Sequence, residues 1–394
     1  MKPHFMFTSE SVTAGHPDKM CDRISDAIVG RALRQDPLAR VISECAASTG
    51  IVFVSVKLEG HAAIDVAHTA RDVIRSLGYT GAGFDAATCT VMTSLTESDP
   101  SVPFGDERLL DEASFDTVPA HDQVTLFGYA CRQTPAFIPL PVWMSRKLAR
   151  RLATARESEG LSYLSPDGKT QVGVEFHDRV ATRIHSVTVA AGQYPGAGAP
   201  LSRLRDDVMT QVIHAAFEDE PIKPDDRTRI AINPDGSMPA GGPASHAGLT
   251  GRKTADDTYG QYARHSGAAL SGKDPSRIDR IGAYAARHAA LNVVAAGLAD
   301  ECEVMLSYSI GLAHPVSIEV ETFGTNHLPE EEIAARIRRH FDFRPAAVIT
   351  RFGLRDLPLQ HADGFYPQLA AYGHVGRPDL ALPWEDTSAA HTLQ

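Results

Sequence analysis

The chain has no run of about 18 apolar residues, and its first residues, Met1-Lys2-Pro3-His4-Phe5-Met6-Phe7-Thr8, lack the apolar stretch of a secretory signal. These absences argue against a helical membrane span and predict a cytoplasmic protein. Positive charge is also scarce: 38 Lys and Arg stand against 49 Asp and Glu, a formal net charge of −11. A non-specific nucleic-acid binder needs broad positive surface, so that class is excluded and any phosphate site has to be local. Cys21, Cys45, Cys89, Cys131 and Cys302 are odd in number, widely spaced and free of C-x-x-C pairs, which predicts reduced buried thiols rather than disulfides or zinc ligands. The 17 histidines include no H-E-x-x-H, which argues against catalytic zinc. There is no internal repeat, no low-complexity tract and no evident linker.

What is present is enough apolar material for a large core. With 394 residues, 43% apolar and 22% charged, the chain is expected to divide into two or three domains. Met20, Ile24, Ala27, Ile28 and Ala32 share one face of a helix from Pro17 to about Arg34, which Asp36-Pro37 ends. Residues Ile51 to Leu58 alternate as a strand, and a helix follows with Ile64, Ala67, Ala70, Ile74 and Leu77 on one face and Gly78 as its stop. The stretch Thr93 to Asp111 is rich in Ser, Asp, Pro and Gly and reads as a long mobile loop. Further strands are expected at Val172 to Phe176, Ile184 to Ala190, Arg229 to Asn233, Val304 to Ile310 and Val316 to Val320. Helices are expected near Leu204 to Phe217, Ile281 to Leu298 and Pro329 to Phe341. Strand pairs followed by helices, without strict alternation, predict an α+β fold with helices on one face of each sheet. Uncovered sheet faces would need a partner, which a homodimer supplies.

The chemistry concentrates in two regions. Gly15-His16-Pro17-Asp18-Lys19 places a proline at a helix N1 position, with a histidine before it and a carboxylate in the first turn. Free backbone N–H groups at such a helix entrance suit an anion. Far along the chain come Gly251-Arg252-Lys253 and then Gly267 to Lys273. The latter has the Gly-x-x-x-x-Gly-Lys spacing of a P-loop, but Asp274 stands where a magnesium-binding hydroxyl should follow and no continuous strand precedes Gly267. A P-loop or Rossmann-type site is therefore disfavoured, while a triphosphate cradle built from both regions is not.

The segment Phe7-Thr8-Ser9-Glu10-Ser11-Val12-Thr13-Ala14-Gly15-His16-Pro17-Asp18-Lys19 resembles the opening of the S-adenosylmethionine synthetases. The resemblance runs on in order through Asp122-Gln123 with Leu126 to Ala130, Ser165 to Val172, Gly248 to Lys253, Asp257 to Gly260, Ser271 to Ser276 and Ala371 to His374. It implies three similar subdomains with pseudo-threefold symmetry, assembled from residues 1–14 plus 133–241, 15–105 plus 242–280, and 111–132 plus 281–394. It also implies a homo-oligomer whose sheets pack at a dimer interface, with the active site between subunits. The implied reaction is attack of a thioether sulfur on the 5′ carbon of ATP, with triphosphate leaving and then cut to diphosphate and phosphate. By the same resemblance, His16, Lys169, Arg252, Lys253, Lys273 and Arg277 contact phosphates, with Arg277 in place of the family's usual lysine. Asp18 and Asp279 hold Mg2+, and Glu44 matches the K+ carboxylate. Asp122, Asp167, Met238 and Ile310 fall at nucleotide positions.

Departures from the family gather at the acceptor and adenine end. Lys57 stands where the family has glutamate, His246 where it has aspartate, and Ser98 where it has a loop glutamine. Pro119-Ala120-His121-Asp122-Gln123-Val124 replaces a glycine-rich segment, and Ser237-Met238 replaces an Arg-Phe pair. Two like charges about 5 Å apart at an effective dielectric near 20 repel by roughly 3 kcal/mol, about a hundredfold in binding. An acceptor ammonium facing Lys57 would be disfavoured, so one expectation is a deaminated methylthio acid as acceptor. The other is L-methionine, with Glu59, two residues on along the same strand face, supplying the acid. Rivals of a different kind are a tripolyphosphate hydrolase that has lost its acceptor site and a nucleotide-binding subunit without turnover.

Overall fold

The computed structural model describes residues 3–394 apart from 82, 99–105, 159, 195, 237, 239 and 362–363. The chain opens with strand β1 (His4–Val12) and helix α1 (Pro17–Gln35), then the antiparallel pair β2 (Arg40–Ser48) and β3 (Ile51–Glu59). Helix α2 (Val66–Ser76), the two-residue strands β4 (Thr80–Gly81) and β5 (Phe84–Asp85), and strand β6 (Thr90–Ser98) follow. Next come β7 (Val124–Cys131), α3 (Leu140–Ser158), β8 (Leu164–His177) and β9 (Val180–Gln193). The helical stretch from α4 (Leu201–Val208) to α5 (Ala215–Phe217), joined by a π turn, precedes β10 (Arg229–Ile232), β11 (Gly248–Leu249) and the short α6 (Thr254–Asp257). Helix α7 (Ile278–Ala295), β12 (Glu301–Tyr308), β13 (Ser317–Glu321) and α8 (Glu330–His340) lead into the short C-terminal helices.

The larger strands make three sheets, in the orders β1-β8-β9-β10, β11-β2-β3-β6 and β13-β12-β7. The first packs α3 and the α4–α5 stretch over one core. Helix α1 lies on the second sheet and α7 on the third, and these two sheets share a larger core. This is the α+β arrangement that the pattern of strand pairs and helices predicts. In β3 the alternation resolves as expected: Val52, Val54, Val56 and Leu58 are at most 2% exposed, whereas Ile51 and Phe53 on the other side are 47% and 41% exposed. Met92 on β6 and Leu249 on β11 continue this open apolar face.

The expected loop from Thr93 is corrected in part. Thr93 to Ser98 continue β6, paired in parallel with β3, because Val91 packs against the core and the open β3 edge supplies ladder partners. Six polar or exposed residues in a row conceal such a strand, since its register comes from its neighbour rather than from its own periodicity. Residues 99–105 of that expected loop lie outside the described residues, and Glu107–Leu109 form a single helical turn.

Candidate active site

His16 is the N-cap of α1, and its Nδ1 accepts the backbone N–H of Asp18 at 3.2 Å. Pro17 follows at N1, where the missing N–H costs nothing. Burial pushes the pKa of His16 down to about 4, so the ring is neutral at physiological pH. Asp18, in the first turn and 2% exposed, is held on both oxygens: Oδ2 by Lys253 Nζ at 2.6 Å, and Oδ1 by the Leu249 N–H at 3.0 Å with Arg252 Nε at 3.8 Å. Burial works against the charge on Asp18, but the Lys253 hydrogen bond and the Leu249 N–H outweigh it and hold the carboxyl below its ordinary range. Lys169 on β8 joins His16 and Lys253 around a cavity of about 320 Å³. Of the expected phosphate residues, His16, Arg252 and Lys253 thus meet beside Asp18, and Lys169 lines the same cavity as His16 and Lys253.

Asp167 and His246 adjoin this group. Asp167 Oδ2 accepts the Gly242 N–H at 2.8 Å and lies 2.9 Å from His246 Nε2. The His246 ring stands 4.9 Å from that of His16. Met238 forms a backbone bridge to Gly192, a glycine whose Cβ would meet the carbonyl of Asp167, so Met238 sits on the same side. Ser237 lies outside the described residues.

A second group forms around Lys273. Its backbone bridges Ile42 on β2, and its Nζ lies 3.1 Å from Asp279 Oδ2 in the first turn of α7. Arg277 is the residue before α7, 3.9 Å from Asp274. Lys57 Nζ is 3.3 Å from Glu59 Oε1, and Ser98 pairs with Glu59 across β3 and β6. His121, beside Asp122, feels the charges of Arg40, Arg277, Asp274 and Glu59, and with burial as the main cause its pKa is lowered. Asp122 and Ile310 occupy adjoining loops, joined by hydrogen bonds between Ala120 and residues 311 and 312.

One chain therefore carries two separate sets. Leu249, next to the first, pairs with Ala46, while Lys273 bridges Ile42 on the same strand, so their backbones are four residues apart, roughly 13 Å. Glu44 lies between them, exposed on the open sheet face. Met238 falls in one set and Ile310 in the other. His246 is likewise apart from Lys57, Glu59 and Ser98.

Sequence reasoning missed the groups that hold these sets in place. Lys19, Asp22 and Asp26 are fully buried along one face of α1. Lys19 binds Asp22 and Asp257, and Asp22 accepts the Gly251 N–H at 2.8 Å, which fixes the turn before Arg252. Burial raises the pKa of Asp257 to about 7 despite Lys19. The sequence signal was weak: these three charges share the side of α1 opposite its apolar stripe, where a solvated face is the ordinary expectation, and only the structure shows them buried and paired.

Three domain models of the S-adenosylmethionine synthetases match in succession: the N-terminal domain at residues 4–100, the central domain at 117–238 and the C-terminal domain at 240–386. The chain belongs to the S-adenosylmethionine synthetase family. It is 46% identical over 402 residues to the S-adenosylmethionine synthase of a Synechococcus strain, covering 99% of this chain and 97% of that one. It is 47% identical over 403 residues to that of Prochlorococcus marinus, covering 99% and 96%. With the Gloeobacter violaceus synthase it shares 46% over 407 residues, covering 99% and 97%. The chain is an ATP-dependent methionine adenosyltransferase of a metal-dependent family. Among the described residues, no helix is long and apolar enough to cross a membrane.

Proposed function

We propose that the chain transfers the adenosyl group of ATP to the sulfur of L-methionine, giving S-adenosylmethionine, phosphate and diphosphate, in sites that two copies share. The observation that carries this is the pairing of Lys253 and Arg252 with buried Asp18 beneath the His16 cap, matched by a second lysine–aspartate pair, Lys273 with Asp279. A thioether is a weak neutral nucleophile, so acceleration has to come from in-line positioning and from stabilising charge on the departing triphosphate. Lys253, Arg252 and Lys169 from one copy would converge on the phosphates with Lys273 and Arg277 from its partner. The open apolar face of Ile51, Phe53, Met92 and Leu249 supports a sheet-to-sheet dimer that closes this gap.

The carboxylates of Asp18 and Asp279 are the hard oxygen donors that Mg2+ prefers, and each lies beside a lysine that can move onto phosphate. Mg2+ held there would neutralise phosphate charge. Glu44 on the open face is the K+ carboxylate of this proposal. Asp122, Asp167, Met238 and Ile310 would then meet the nucleoside from two sides of the interface.

At the acceptor end, the Lys57–Glu59 pair answers the charge conflict that Lys57 alone would create. Glu59 would take the α-ammonium and Lys57 the α-carboxylate of methionine, with Ser98 alongside. The proposal also includes units of residues 1–14 plus 133–241, 15–105 plus 242–280, and 111–132 plus 281–394, supported by the make-up of the three sheets. A cytoplasmic setting is supported by five free, buried thiols.

The test is incubation with ATP, Mg2+, K+ and, separately, methionine, 3-methylthiopropionate and 4-methylthio-2-oxobutanoate, read by mass spectrometry. S-adenosylmethionine is the expected product. A sulfonium from the deaminated acids alone would overturn the acceptor assignment, and phosphate release without adenosylated product would overturn the transferase.

A further inference from the structure

His16 from the entrance of α1, Asp167 from β8 and His246 from the turn after Gly242 converge so that one ligating atom of each lies within 4.8 Å of the others. The family's aspartate is an imidazole at position 246, which turns an acidic corner into a set of two nitrogen donors and one carboxylate. A second observation points to a cation there: Asp167 Oδ1 is fully buried and accepts no hydrogen bond from the described residues. A buried carboxylate oxygen without a partner is rare and costly, and ligation satisfies it.

We infer that His16, Asp167 and His246 form a site for one divalent transition-metal ion, separate from the magnesium carboxylates and open toward the cavity that His16 shares with Lys169 and Lys253. Two imidazoles and a carboxylate suit Zn2+, Co2+ or Ni2+, whereas Mg2+ keeps oxygen ligands. Closing all three donors to about 2.1 Å from one ion requires a small rotation, available to His246, whose side chain is 33% exposed.

Both rings have to free a nitrogen: His246 Nε2, 2.9 Å from Asp167 Oδ2, gives up the proton it shares there, which exchanges through solvent to Nδ1 of the same ring. In the metal-free ring, Nδ1 of His16 accepts the Asp18 N–H, so Nε2 carries the proton. Ligation through Nε2 moves that proton to Nδ1, which stands 3.8 Å from Asp18 Oδ2 and can donate to it after a slight turn. A ligating histidine held by a carboxylate on its other nitrogen is the usual outer arrangement of such sites. Three protein ligands leave positions open for nitrogen or oxygen donors of a molecule in the cavity. Only that last consequence, what the open positions face, rests on the proposed function.

Co2+ titrated into the full chain with Mg2+ in excess tests the site, read by equilibrium dialysis and by the visible absorption of bound Co2+. One Co2+ per chain is expected, and His246→Ala should weaken it by more than the tenfold to hundredfold lost with an outer-shell partner. The His246→Cys variant should keep Co2+ and gain a thiolate-to-cobalt charge-transfer band, which a merely structural histidine would not produce. Equal affinity in the wild type and His246→Ala, or no such band in His246→Cys, would overturn the site. Binding is read without ATP or acceptor, so it stands or falls independently of adenosyl transfer.

Discussion

Nη2 of fully buried Arg280 donates to both carboxylate oxygens of Asp26, at 2.7 and 2.8 Å, while its Nη1 donates to the backbone carbonyl of Lys273 at 2.7 Å. Asp26 in turn accepts the Gly272 N–H at 2.9 Å. The pair thus clamps the Gly272-Lys273 turn from beneath, joining α1 to α7 under the cradle. Gly272 has φ +79° there, a conformation that glycine adopts without strain.

Asp26→Ala is expected to destabilise the protein by about 3–5 kcal/mol, because it strands a buried guanidinium. Urea denaturation measures this. A loss below about 1 kcal/mol would mean that Arg280 finds another partner.

Gly128→Ala tests the close approach of β7 and α7. A Cβ at Gly128 would fall 1.9 Å from the Ala286 carbonyl carbon, so backbone has to move. A loss of about 3 kcal/mol, the upper part of the overpacking range, is expected in the same denaturation experiment. Wild-type stability would show that helix and sheet separate freely.

Two buried groups act in opposite directions on mild acidification: Asp257, raised to about 7, adds stability as pH falls, and His288 removes it. Burial, assisted by the charge of Arg351, pushes the pKa of His288 down to about 4, from an unfolded value of about 6.5. Between these values the unfolded chain binds a proton at His288 that the folded chain does not, so the His288 contribution drops as pH falls through that window and levels off below it. His288 contributes up to about 3 kcal/mol, and His16, lowered in the same way, adds to the slope. The stability of wild type relative to His288→Gln should fall by up to about 3 kcal/mol between pH about 6.5 and 4, a difference in which the Asp257 contribution common to both cancels. A difference that stays constant over that range would refute the assignment to His288.

Glu59→Gln should raise KM for methionine roughly tenfold to a hundredfold, the worth of a charge-assisted hydrogen bond, with little change in kcat. Steady-state kinetics checks the split between the two constants. Unaltered KM would remove Glu59 from the acceptor end.

Much of this was legible in the sequence, and for physical reasons. Pro17 at N1 and the spacing of Met20, Ile24 and Ile28 fix α1, because local propensity and burial agree there. The motif at Gly251-Arg252-Lys253 signalled a cation cluster, and Arg252 and Lys253 do meet Asp18. The polar run from Thr93 to Ser98 was misread because its strand depends on β3, more than thirty residues earlier. Asp26 with Arg280, 254 residues apart, could not be paired from spacing at all. Nor does the sequence alone reveal that the two cation sets of one chain lie apart along β2.

That separation leads to the most direct measurement. Lys253→Ala and Lys273→Ala should each lower turnover by about a hundredfold or more through lost charge stabilisation. Coexpressed, they form mixed dimers in which one of two shared sites has both lysines intact, so activity should recover to about a quarter of wild type. A mixture no more active than either variant alone would contradict a triphosphate cradle built from two copies.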